Sequence, residues 1–122
     1  MKILLVEDNL LNQKVVMFNL KRLNLEITTA SNGYDAIDKI KTDTFDLVLM
    51  DIILPGKNGF EITGEIREFE RNSDVKIPVP IVALTANTLD NDREKCIAAG
   101  MNDYLSKPFT AEQLIEKVKQ FI

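Results

Sequence analysis

Apolar and polar positions follow two rhythms along the chain. Three short unbroken apolar runs, Ile3 to Val6, Leu47 to Met50 and Ile81 to Leu84, read as strands buried on both faces, as in a parallel sheet covered by helices. Two more polar segments, Glu26 to Ala30 and Asp103 to Ser106, suit rim strands. Between them apolar residues recur three or four apart: Leu11, Val15, Phe18; Ala36, Ile37, Ile40; Ile62, Ile66, Phe69; and Leu114, Val118, Phe121. That spacing puts each set on one face of a helix. A less regular helix over Leu89 to Ala99 stops at Gly100.

Strand then helix, five times over, calls for right-handed crossovers with helices on both faces of the sheet. With strands one, three and four interior, the economical order is 2-1-3-4-5, a doubly wound α/β sandwich of three layers. The order reverses between strands one and three, and ligands of such sheets bind at the carboxyl ends of the strands at that switch point. No repeat, low-complexity run or linker interrupts the pattern, and 71–80 is the longest loop. Residues 1–122 therefore read as a single domain.

Composition narrows the function. The 122 residues are 45% hydrophobic and 28% charged, with a formal net charge of -4, and the dispersed lysines and arginines form no basic stripe for direct nucleic-acid binding. The first apolar run is too short for a signal peptide or a membrane segment, which points to a cytoplasmic location. Cys96 is the only cysteine; a packing role and a reducing compartment fit it. There is no histidine, which excludes imidazole acid/base catalysis, imidazole metal ligation and a phosphohistidine carrier.

The strand ends carry the candidate chemistry. Glu7 and Asp8 follow the first strand, Asp51 the third, Thr85 ends the fourth and Lys107 follows the fifth. Three crowded carboxylates repel one another unless a divalent cation neutralises them, and an all-oxygen set suits Mg²⁺. A carboxylate held in this way can attack phosphorus, with the Lys107 ammonium and the Thr85 hydroxyl stabilising the phosphoryl oxygens. Taken singly the residues have plainer readings, since Asp8 or Asn9 could cap the first helix and a lone Asp after a strand is usually a turn residue. Their joint placement at neighbouring strand ends favours the phosphoryl chemistry.

The segments Val6-Glu7-Asp8-Asn9, Met50-Asp51-Ile52, Leu84-Thr85-Ala86 and Ser106-Lys107-Pro108 resemble the four signature segments of response-regulator receiver domains, and the resemblance spans essentially the whole chain. It implies a flavodoxin-like fold in which Asp51 is the phosphoacceptor, taking its phosphoryl group from a phosphohistidine on a partner. It implies Mg²⁺ held by Asp8, Asp51 and the backbone carbonyl of Ile53, with Glu7 acting mainly through bound water. Lys107 would pair with the phosphoryl group, and its bond to Pro108 would be a cis peptide. Thr85 and Tyr104 would form a switch acting on the surface of the fourth helix, fifth strand and fifth helix. Ile53 and Asn87, which bring no charged group to the site, would tune the phosphoryl lifetime. Such a protein catalyses its own phosphorylation and dephosphorylation but works mainly as a signalling switch.

Asn12-Gln13 after Glu7-Asp8-Asn9, Leu84-Thr85-Ala86-Asn87, and Gly100-Met101-Asn102-Asp103-Tyr104-Leu105 are most similar to receivers of hybrid sensor histidine kinases. The expected partners are then a kinase's phosphohistidine domain and a histidine phosphotransfer domain, docking on the first helix. The alternative is a stand-alone response regulator, since no output domain follows the fifth helix in this sequence. The apolar load of that first helix exceeds one buried stripe, and either a partner surface or a wide buried face would account for it. Two rivals fit less well. A phosphohydrolase resembling haloacid dehalogenases wants a second Asp where Ile53 stands, and a flavin module wants a hydroxyl- and glycine-rich loop where acidic Glu7-Asp8 would repel phosphate.

Overall fold

A computed structural model of the chain describes residues 1–75, 77–86 and 91–122. Five strands and five helices alternate: β1 (Lys2–Val6), α1 (Leu10–Leu20), β2 (Glu26–Ala30), α2 (Gly33–Thr42), β3 (Leu47–Asp51), α3 (Gly59–Arg71), β4 (Ile81–Thr85), α4 (Asn91–Ala99), β5 (Asp103–Ser106) and α5 (Ala111–Lys119). The strands form one parallel sheet in the order β2-β1-β3-β4-β5. This is the expected order, and the fold is the flavodoxin-like α/β sandwich. Asn87, Leu89 and Asp90 lie outside the described residues, so the expected start of the fourth helix and the expected tuning role of Asn87 go undescribed.

The apolar strands are apolar throughout because both faces are covered. Leu4, Val6, Val48, Met50, Ile81 and Ala83 point into one core with Ala36, Ile62, Ile66 and Cys96 from α2, α3 and α4. Ile3, Leu5, Leu47, Leu49, Val82 and Leu84 point into the other with Val16 and Leu20 of α1 and Leu114, Ile115 and Val118 of α5. Successive residues of one strand thus serve opposite layers, and each large side chain buried contributes about 1.5–3 kcal/mol. The rim strands β2 and β5 are only half-buried.

The helices begin where the turn chemistry starts them. Asn9, Asn32, Asn58 and Thr110 each accept a hydrogen bond from the backbone N–H three residues on, and Asn58–Glu61 and Thr110–Gln113 close as capping boxes. Gly100, at φ +104°, ends α4 in the left-handed conformation that glycine adopts without strain.

The structure decides which face of α1 turns inward. The set Leu11, Val15, Phe18 faces outward, and α1 buries Gln13, Val16 and Leu20. Both sets satisfy the same spacing, so periodicity alone could not choose between them. A wide buried face is thereby excluded: Leu11 and Phe18 are 69% and 76% exposed.

Candidate functional site

Because β1, β3 and β4 lie side by side in register, their carboxyl ends bring Glu7, Asp51 and Thr85 together with no further adjustment of the chain. Val6 pairs with Met50, and Asp51 with Leu84. All three are buried; Glu7 is only 2% exposed and Asp51 7%. Asp8 is exposed. One carboxylate oxygen from each of Glu7, Asp8 and Asp51 lies within 4.8 Å of the other two. Asn9, not Asp8, caps α1, so the capping reading does not account for Asp8.

Glu7 is held from several sides. Its Oε1 accepts from the Asn9 backbone N–H at 3.2 Å and from Asn12 Nδ2 at 3.4 Å. Its Oε2 lies 3.5 Å from Lys107 Nζ. The same ammonium is 3.7 Å from Asp51 Oδ2, while Asp51 Oδ1 accepts from the Ile53 N–H at 3.4 Å. Lys107 is brought to β4 by its own N–H, which donates to the Thr85 carbonyl at 2.6 Å. The Lys107–Pro108 peptide is cis.

Burial pushes the Asp51 carboxyl up to about 6, with the nearby Glu7 adding to the rise, while Lys107 and the Ile53 N–H act against it. A buried acid that resists ionisation beside two others is a site short of positive charge. Six-coordinate Mg²⁺ spans about 4.2 Å between opposite oxygens. The three carboxylates, each offering one oxygen within 4.8 Å of the others, therefore suit the ion in spacing, charge and donor chemistry.

The remaining predicted residues lie around this group. The Ile53 side chain is exposed. Tyr104 is half-buried on β5 and pairs with Ala83, which lies on the same face of β4 as Thr85. Tyr104 also lines a groove of about 540 Å³ with Arg93, Ser106 and Lys117, on the α4, β5 and α5 surface expected to respond. The structure thus gathers Glu7, Asp8, Asp51, Thr85 and Lys107 at one sheet end and leaves the side chains of Ile53 and Tyr104 at its margin.

Two contributors were not assigned a role from the sequence. A Cβ at Gly59 would sit 2.6 Å from the Asp51 carbonyl oxygen and 2.9 Å from Ile52 Cα, so only glycine lets α3 start so close to β3. The pair Asn58-Gly59 reads as turn chemistry, which conceals this. Gln13 is buried and donates to the Glu7 carbonyl at 2.6 Å; in the sequence it stands out as a glutamine amid apolar helix positions and in the Asn12-Gln13 pair, neither of which says what it holds.

Comparison with known proteins places this geometry. The family model described as response regulator receiver domain matches residues 3–119. The chain is 42% identical over 129 residues to hybrid signal transduction histidine kinase B of Dictyostelium discoideum, covering 99% of this chain and 7% of that protein. Across the curated relatives it matches most strongly, the chain spans between 7% and 27% of their length. Among solved structures, the receiver domain of sensor histidine kinase PA1611 from Pseudomonas aeruginosa, with magnesium coordinated in its active site cleft, is 42% identical at TM-score 0.84, covering 98% of this chain and 95% of that one. A second match comes from the co-crystal structure of the Saccharomyces cerevisiae histidine phosphotransfer protein Ypd1 with the receiver domain of Ssk1. It is 34% identical at TM-score 0.91, over 99% of this chain and 88% of that one.

Proposed function

The chain belongs to the response regulator receiver domain family, and from that premise we propose that it is a phosphoacceptor in a two-component phosphorelay, with residues 1–122 acting as one receiver domain. The observation that carries the reading is the buried Asp51 carboxylate with Lys107 Nζ at 3.7 Å and the carboxylates of Glu7 and Asp8 beside it. An oxygen of Asp51 attacks phosphorus, a new O–P bond forms, and the bond from phosphorus to the donor's imidazole nitrogen breaks, returning neutral histidine after protonation. Lys107 then pairs with the arriving negative charge, and the Thr85 hydroxyl turns to a phosphoryl oxygen. Asp8, Asp51 and the Ile53 carbonyl would hold Mg²⁺, with Glu7 acting mainly through bound water, and the ion would supply the charge that lets carboxylate and phosphoryl group approach.

The new group adds about -1.5 to -2 of charge. Drawing Thr85 toward it changes the packing beside Ala83, and Tyr104, paired with that residue, is placed to report the change at the α4, β5 and α5 face. Ile53 and Asn87 tune how long the group survives.

The donor is proposed to dock on α1. Its outward face presents Leu11, Val15 and Phe18 among Lys14, Lys21 and Arg22, with no acidic residue from Leu10 to Leu23. An apolar groove of about 570 Å³ runs from Val15 past Pro108 and Phe109 to Glu7 and Lys107, joining this face to the site. A phosphohistidine domain of a kinase and a histidine phosphotransfer domain are the partners that suit it. The resemblance to a hybrid kinase supports an origin within such a kinase, in a cytoplasmic setting; among the described residues no helix is long and apolar enough to cross a membrane.

The test is intact-mass spectrometry after incubation with Mg²⁺ and a small acyl-phosphate donor. One added phosphoryl group on wild type, absent from Asp51→Asn and absent without Mg²⁺, is expected. An unmodified wild type that also fails to trap a beryllofluoride analogue would reduce the chain to an inactive receiver-like interaction module.

A further inference from the structure

The buried face of α1 contains a polar side chain, and the chemistry above gives it no role. Gln13 is 6% exposed between Val16 and the turn after β1. Its Nε2 donates to the Glu7 carbonyl at 2.6 Å and lies 3.4 Å from Ser31 Oγ in the turn after β2. The Glu7 carbonyl stands one residue past the end of β1, beyond the run of strand pairing that holds Ile3 to Val6. That carbonyl belongs to the peptide joining Glu7 to Asp8. A peptide unit is planar, so holding its oxygen restrains the plane from which two of the three clustered acids leave the backbone. Asn12 completes the hold on Glu7 from the carboxylate side, its Nδ2 reaching Oε1 at 3.4 Å.

We propose that Asn12 and Gln13 are positioning residues for the acidic trio, Gln13 through the Glu7–Asp8 peptide and Asn12 through the Glu7 carboxylate, and that together they set its affinity for a divalent cation. The inference rests on reading the trio as a Mg²⁺ site. Groups that orient metal ligands without touching the metal typically cost 10- to 100-fold in affinity when lost. Here they do so from the helix that also carries the exposed docking face, so the surface a partner touches and the acids it serves share a rigid element.

Titration calorimetry with MgCl₂ on wild type, Gln13→Met and Asn12→Ala tests this. Methionine keeps the buried volume and removes the donor; Asn12 is exposed, and its replacement does not threaten folding. Gln13→Met should bind Mg²⁺ about tenfold more weakly, at the lower end of the range for such groups, and Asn12→Ala should show a smaller loss. Thermal melts with and without Mg²⁺ separate positioning from a purely structural role. A positioning role shrinks the Mg²⁺-induced rise in Tm, whereas a structural role lowers both melts equally and leaves that rise intact. Affinities of both variants within twofold of wild type, or an unchanged metal-induced rise, would overturn the proposal. If Gln13→Met does not fold, Asn12→Ala decides alone. A wild type that takes up no Mg²⁺ at all is a different failure, which removes the metal-site reading and this inference with it.

Discussion

Helices α1 and α5 pack side by side on the same face of the sheet, yet their faces differ in composition. α5 is conventional: Leu114, Ile115 and Val118 turn inward, and Glu112, Glu116 and Lys119 stay in water. α1 buries a glutamine beside Val16 and Leu20 and keeps a leucine, a valine and a phenylalanine outside. Burying polar amide and exposing aromatic surface both oppose folding, so these two departures need a cause outside helix stability. The inner half is explained by Glu7, whose carbonyl Gln13 holds, and the outer half by the proposed partner. Departures from patterning of this kind concentrate at functional sites.

The contrast can be broken most strongly from the α5 side. Leu114→Ala should cost about 3 kcal/mol, the range for a fully buried leucine, measured by urea denaturation. A loss below about 1 kcal/mol would mean that α5 is not the structural member of the pair.

Next comes the acid that Gln13 indirectly serves. The Asp51 carboxyl, raised from 3.8 to about 6 chiefly by burial, holds its proton more tightly when folded than when unfolded. Its charge therefore costs stability progressively as pH rises from about 4 to 6, and the full penalty stands above that window. In chelator, Asp51→Asn should be more stable than wild type by on the order of 2 kcal/mol at pH 7, with the gain vanishing near pH 4. Equal melts at both pH values would remove the claim that the trio is short of positive charge.

The outer face of α1 gives a smaller effect of another kind. Phe18→Ala should leave stability within about 0.5 kcal/mol while slowing phosphotransfer from a histidine phosphotransfer domain roughly tenfold, as the loss of an interface anchor does. Phosphorylation by a small acyl phosphate, which needs no docking, should be unaffected, and an equal slowing with both donors would contradict a docking role. The smallest effect is expected from Lys21→Glu at the rim of that face. Transfer should slow a few-fold at low salt and less at high salt, because exposed charges are screened.

Much of the architecture is legible along the chain. Continuous apolar runs report strands covered on both faces, and Asn or Thr before each of four helices reports the start. Acidic residues immediately after the first and second of those apolar runs report where a site must form, because parallel strands in the order 2-1-3-4-5 all present their carboxyl ends on one side. These features are carried by neighbours in sequence, and neighbours in sequence are what local backbone physics reads.

Which face of α1 turns inward is another matter. Leu11, Val15, Phe18 and Gln13, Val16, Leu20 obey the same helical spacing, and hydrophobicity favours the wrong set. On the inward face Val16 and Leu20 join the core, and Gln13 beside them bonds a carbonyl six residues earlier, which is in place only once the turn after β1 has been set by the sheet. The same holds for Gly59, whose missing Cβ matters because the Asp51 carbonyl arrives 2.6 Å from where it would stand. Local sequence thus determined the elements, their order and the sheet end where the acids meet. The orientation of α1 and the fit around the acids were decided by where the sheet sets the turns after β1 and β3, which periodicity along the chain does not encode.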